Sequence, residues 1–174
     1  MNLTERGVAE LRRQLKDRAV SSAAVADALI ARTEAQAGLN GYVAFDAEAL
    51  RAQARAADAR IAAGEDLPLL GVPVALKDNI DAVGLPSGAG TGALHGLHPA
   101  RDAEVVRRLR AAGALIAGKT GMHELAFGIT TNNSVTGAAR NPWDPSRIPG
   151  GSSGGSGVVV AAGLVPAAIG TDTG

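Results

Sequence analysis

Cysteine is absent from the 174 residues. That excludes a disulfide framework, a thiolate nucleophile and any cysteine-ligated metal. Aromatics are nearly absent: two Phe, one Tyr and one Trp make up 2% of the chain. A core must therefore be built from Ala, Val, Leu and Ile, which the 46% hydrophobic content can supply. Net charge is also absent, with 17 Lys plus Arg against 17 Asp plus Glu. Such a balance argues against a nucleic-acid or anionic-membrane surface as the main function. No run approaches the ~20 apolar residues of a membrane span. Met1 to Arg6 lacks the apolar stretch of a signal peptide. The expectation is a cytoplasmic protein. Lysine is scarce as well, three against fourteen arginines.

Glycine and serine are concentrated in one place. Pro149-Gly150-Gly151-Ser152-Ser153-Gly154-Gly155-Ser156-Gly157 holds five glycines and three serines, and the apolar run Val158 to Ala162 follows at once. A flexible linker has this composition, but linkers are not normally followed directly by a helix-length apolar segment. A phosphate loop is excluded, because no Gly-Lys-Ser/Thr closes the tract. A nucleophile elbow matches residues 151–154 only loosely, with no clear strand leading in. Glycines packed before a helix bring backbone amides and serine hydroxyls close to a reacting group.

The pattern of elements is α/β. Asn2-Leu3-Thr4-Glu5 has capping-box form before a helix facing inward through Val8, Leu11 and Leu15. Ser21 or Ser22 starts a second helix with Val25, Leu29 and Ile30 inward, and Gly38 lies past its end. Tyr42 to Phe45 reads as a short strand. Asp46 caps a third helix, with Leu50, Ala54, Ala57 and Ile61 inward, Arg51, Arg55, Asp58 and Arg60 solvated, and Gly64 as its stop. Val72 to Leu76 is a continuous apolar run, the mark of a buried strand. A glycine-rich loop spans 84–92, and Asp102 is placed to cap a helix carrying Val105, Val106 and Leu109, closed by Gly113. Ala114 to Gly118 is the next buried strand, parallel to the first by the right-handed crossover. A short helical turn over Met122 to Phe127, a loop over 131–150, a buried helix over 154–162 and a strand over Val165 to Ile169 complete the chain. The expectation is one partial domain over 1–174, with a helical layer over 1–65 and an α/β core over 66–174: a mixed, largely parallel sheet covered by helices. The N-terminal helices would pack on the sheet or reach towards a partner.

Lys77 closes the first buried strand. Beside apolar residues an amine loses hydration, which lowers its pKa from about 10.4. Neutral, it can serve as a general base, which arginine cannot. A lysine at a strand end also snorkels to solvent. The hydroxyls of Ser152, Ser153 and the turn 170–174 favour chemistry, since Ser–Lys is a variant of the catalytic-triad logic. His95 and His98 sit in a loop, and His123-Glu124 lacks the spacing of metal ligands.

Three stretches then carry a resemblance. Gly71-Val72-Pro73-Val74-Ala75-Leu76-Lys77-Asp78-Asn79, the tract 149–156 and Gly170-Thr171-Asp172-Thr173-Gly174 resemble, in this order, the three motifs of the amidase signature family. Gly118-Lys119-Thr120 and Asn141-Pro142-Trp143 extend the likeness between them, from about residue 20 to the end. The resemblance implies hydrolysis or transfer of amide groups by a Ser–cis-Ser–Lys triad. Lys77 would be the base and Ser152 the bridging serine, following a cis peptide bond. Thr173 and Gly174 would supply oxyanion-hole amides, and Leu125, Ala126 and Ser153 would line the substrate pocket. Asp172 would brace the turn by hydrogen bonds. The family needs no cofactor and no metal. The implied partner is a small-molecule amide, with no nucleic acid and no membrane, and the full-length form is compatible with a homodimer.

The nucleophilic serine of the family stands two residues beyond Gly174. A polypeptide of these 174 residues is therefore expected to have no amidase activity, and to leave strand edges and apolar faces uncovered. Met122 to Thr130 resembles members acting on arylacetamides. The A-type subunits of tRNA-dependent amidotransferases tend to have an acidic residue at the position of His123. A free-amide hydrolase is the preferred expectation. The alternatives are a non-catalytic module and a protein like the A-type subunits of those amidotransferases.

Overall fold

The structure, a computed structural model, describes residues 3–172. Its first helices are α1 (Val8–Lys16) and α2 (Ser22–Ala35), followed by strand β1 (Tyr42–Phe45) and helix α3 (Ala47–Ala62). Then come β2 (Pro73–Lys77), α4 (Glu104–Ala111), β3 (Leu115–Thr120), α5 (Gly154–Ala161) and β4 (Ala168–Ile169). The sheet order is β1-β3-β2-β4. β2 pairs parallel with both β3 and β4, while β1 pairs antiparallel with β3. The architecture is thus the expected mixed, largely parallel sheet covered by helices.

Local causes set most boundaries. The Ser21 side chain accepts from the Ala24 amide at 3.0 Å, and Asp46 accepts from Ala49 at 2.9 Å; both are N-caps. Gly113, at φ 88°, turns the chain out of α4 into β3. β2 is buried along its whole length, so its two faces meet two different helical layers. Ala75 on β2, with Leu115 and Ala117 on β3, joins a core shared with α1, α2, α3 and α5. Leu76 and Ile116 face the other way, onto Val106 of α4. The N-terminal helices therefore pack on the sheet.

Several expectations fail for local physical reasons. The capping box does not start α1: Asn2 lies outside the described residues, Leu3–Glu5 form a separate 3-10 turn, and Gly7 precedes the helix without a side-chain cap. Asp102 does not cap α4, whose N-cap is Ala103. Its carboxylate instead accepts from the Val83 amide at 2.7 Å and pairs with Arg110 at 3.0 Å. Asp58 is not a solvated residue. It accepts from the Ser22 and Ala23 amides at 2.6 and 3.0 Å, capping α2 from α3. Gly38 does lie past the end of α2, within the 3-10 turn Ala37–Leu39. The last strand shrinks to Ala168–Ile169, since Pro166 has no N–H to give a ladder.

One long-range contact was not foreseen. The Gln53 amide donates to the Ile116 carbonyl at 3.1 Å and accepts from its N–H at 2.9 Å. A side chain of α3 thus takes the place of a strand where β1 has ended.

Candidate active site

The site forms where β2 ends beside the N-terminus of α5. β2 delivers Lys77, which is fully buried. The peptide bond between Gly151 and Ser152 is cis, and Ser152 lies just before Ser153, the N-cap of α5. Lys77 Nζ stands 2.7 Å from Ser152 Oγ, across 75 residues of sequence. The same amine donates to Thr171 Oγ1 at 2.9 Å and to the Thr171 carbonyl at 3.2 Å.

Those contacts decide what the amine can do. An ammonium has three N–H donors, and three acceptors surround it. A neutral amine keeps two N–H groups, enough for both oxygens of Thr171, and its lone pair is left facing the Ser152 hydroxyl. Burial pushes the Lys77 pKa down, and the negative charge of Asp172 opposes that shift. The amine is therefore poised towards its neutral, proton-accepting form.

The surroundings hold this pair in place. Asn79 Nδ2 donates to Thr171 Oγ1 at 3.1 Å. Ser153 Oγ donates to the Thr171 carbonyl at 3.1 Å and accepts from its N–H at 3.2 Å. Thr131 Oγ1 donates to the Gly150 carbonyl at 2.8 Å and accepts from the Gly154 amide at 3.0 Å, fastening both ends of the glycine tract. The Thr120 and Ser156 hydroxyls meet at 2.8 Å, joining β3 to α5. An open cleft of about 280 Å³ lies over Ser152, bordered by Pro149, Gly151, Ser153, Thr171 and Asp172.

The other sequence-derived candidates fall unevenly. Ser153 borders the cleft, but both its hydrogen bonds go to Thr171. Asp172 borders it too. Leu125 and Ala126 stand on the 3-10 turn Glu124–Ala126, and neither is among the residues bordering the cleft over Ser152. Leu125 is 61% exposed. That turn still touches the site, because the His123 amide donates to the Ser152 carbonyl at 3.0 Å. Thr173 and Gly174 lie outside the described residues. Among the described residues, no group of three or more His, Asp or Glu side chains stands ready for a metal ion. No described helix is long and apolar enough to cross a membrane.

Sequence reasoning missed Thr171 as the partner of Lys77, Asn79 as the partner of Thr171, and Thr131 as the clamp on the tract. The hydroxyl-rich turn and the Lys77-Asp78-Asn79 run held the only signals for the first two. Thr131 sits in a loop and carries none.

Comparison with known proteins identifies the family. The family model described as Amidase matches residues 24–174. The A-type subunit of the glutamyl-tRNA(Gln) amidotransferase of Cupriavidus necator is 52% identical over 166 residues, covering 93% of this chain and 33% of the relative. That of Roseiflexus castenholzii is 48% identical over 168 residues, covering 96% and 34%. The chain thus spans about a third of the length of the curated relatives it matches. Among solved structures, an amidase superposes with a TM-score of 0.90 at 42% identity, over 97% of this chain and 39% of that one. The peptide amidase of Stenotrophomonas maltophilia gives 0.87 at 36%, over 94% and 35%. A chain from a vestigial complex bearing on the origins of an s-triazine catabolic enzyme gives 0.91 at 42%, over 97% and 37%. With motifs, fold and a family match over most of its length in agreement, this chain belongs to the amidase signature family.

Proposed function

We propose that Lys77 and Ser152 are the base and the bridge of a proton relay that activates a serine hydroxyl against a carboxylic amide. The observation that carries this reading is the 2.7 Å approach of a fully buried amine to the Ser152 hydroxyl. The nucleophile's proton passes to Ser152 Oγ as the Ser152 proton passes to the Lys77 amine. The nucleophile's oxygen bonds to the amide carbon. The C–N bond then breaks, and the nitrogen takes back a proton along the same path. Water releases the acyl group in the reverse sense.

The nucleophile implied by the resemblance follows the turn 170–174 and is not among these 174 residues. Lys77 and Ser152 thus supply base and bridge, and the nucleophile is read from the resemblance. The preferred substrate is a free amide such as an arylacetamide, on the resemblance of Met122 to Thr130. A second reading is favoured by the 52% identity to an amidotransferase component: the amide group is transferred to a glutamyl-tRNA, within an assembly of several different chains. Ammonia release by the intact protein carrying this chain tests both. Turnover of indoleacetamide or mandelamide without partners supports hydrolysis, and turnover of glutamine only with partner chains supports transfer. Undiminished turnover after Lys77→Ala sinks the relay.

A further inference from the structure

The relay leaves a second buried amine unused. Lys119 lies one strand away on β3 and is fully buried like Lys77. It pairs in register with Leu76, while Lys77 pairs with Thr120. Side chains alternate along a strand, so Lys119 sits on the opposite face of the sheet from Lys77. From there it cannot replace Lys77 as a base for Ser152.

Its own contacts are complete. Nζ donates to the Pro86 carbonyl at 2.8 Å, to Ser87 Oγ at 3.0 Å and to the Asp78 carbonyl at 3.1 Å. The Asp78 carboxylate stands 3.9 Å away. Three acceptors match the three donors of an ammonium. The amine thus ties the residue after Lys77 to the glycine-rich loop. From that loop the contacts run on to Ser152. Asp78 Oδ2 accepts from the Gly90 amide at 3.0 Å. Asn133 Nδ2 donates to both the Gly90 carbonyl, at 2.8 Å, and the Met122 carbonyl, at 3.1 Å. The Leu125 amide reaches the Ala89 carbonyl at 2.9 Å, and the neighbouring His123 amide reaches the Ser152 carbonyl at 3.0 Å.

We infer that Lys119 is a positioning residue: its ammonium fixes, through Asp78 and the loop 86–90, the relative placement of Lys77 and Ser152. This rests on the relay reading above. A neutral amine would leave one of the three acceptors without a donor and lose its attraction to Asp78. Burial pushes the Lys119 pKa down to about 8, against the negative charges of Asp78 and Asp81 that face it.

The test is Lys119→Met in the intact protein, which keeps the stem and removes the charge. Turnover of whichever amide it cleaves, indoleacetamide or glutamine, is expected to drop about tenfold or more in kcat with KM little changed. In the unmodified protein, kcat/KM is expected to carry a downward component through about pH 8, set against the rise from Lys77, and that component is absent in Lys119→Met. A lysine-Cε NMR titration, read without turnover, is expected to show the Lys77 midpoint higher in the variant. A folded Lys119→Met protein with unchanged kcat, pH profile and Lys77 midpoint overturns the inference. If Lys119→Met does not fold, Ser87→Ala decides: a severalfold loss of kcat or a raised Lys77 midpoint supports the inference, and neither overturns it. The relay reading fails separately, through full activity of Lys77→Ala.

Discussion

Gly155 of α5 lies backbone against backbone on Gly121, the residue after β3: its N–H donates to the Gly121 carbonyl at 2.9 Å. A Cβ at Gly155 would collide with the backbone nitrogen and oxygen of Gly121, and backbone cannot move aside as a side chain can. This contact sets how closely α5, and with it Ser152, approaches the end of the sheet. Gly155→Ala is expected to lower stability by roughly 1–3 kcal/mol or more and to reduce activity with it. Chemical denaturation alongside an amidase assay checks both; an unchanged midpoint would show that α5 is free to shift.

Lys77 must be neutral to accept a proton. Its pKa lies below the ordinary 10.5 because of burial. Activity is therefore expected to rise with pH through that lowered value. Lys77→Arg keeps the charge but cannot deprotonate, so kcat/KM should fall by roughly 100- to 10,000-fold. A pH–rate series on the two proteins measures this.

Ser152→Ala removes the bridge and leaves the base with no hydroxyl to act through. A loss of the same order as for Lys77→Arg is expected. Because the two groups work as a unit, Lys77→Ala combined with Ser152→Ala should cost little more than either alone. Additive losses in a double-mutant cycle would show two independent roles.

Thr131 holds the glycine tract through one hydroxyl, which serves both the Gly150 carbonyl and the Gly154 amide. Thr131→Val keeps the shape, strands the buried Gly154 amide and releases the half-buried Gly150 carbonyl. The expected cost is about 1–3 kcal/mol for an unsatisfied buried group. Urea midpoints of the two proteins measure it.

Lys119 makes stability and activity move in opposite directions. Its folded pKa of about 8 is below the ordinary 10.5. Between those values the unfolded chain holds a proton that the folded chain has lost, so stability rises with pH. The Lys119→Met protein loses this part of the slope and keeps the part that the lowered Lys77 contributes. Melting temperatures of both proteins across that range should differ in pH dependence; parallel curves would place Lys119 in a more hydrated setting.

Much of the fold was legible because its causes are local. Ser21 and Asp46 cap helices with hydroxyl or carboxylate oxygens three residues from the amides they receive. The apolar run around Val74 is buried wherever a sheet forms. Asp58 and Asp102 were misread for the converse reason. Asp58 lies on the polar face of α3 and reads as solvated, yet it caps α2; Asp102 precedes α4 and reads as its cap, yet it serves Val83. Thr171 could not be linked to Lys77 by spacing, since 94 residues separate them.

The sequence by itself determined the helices, the buried strands and the order of the three motifs, because periodicity and capping act within a turn or two of chain. Which lysine faces Ser152 was decided only in three dimensions. β3 pairs Ile116 with Val74 but Gly118 with Ala75, so Ala117 is an extra residue in the ladder. A one-residue slip of this kind turns the following side chains to the other face of the sheet. Lys119 is thereby sent towards the glycine-rich loop, and Lys77 is left as the amine beside Ser152. Gly118, a glycine inside the strand, is the one local mark of that slip, and its direction depends on where the neighbouring strand lies.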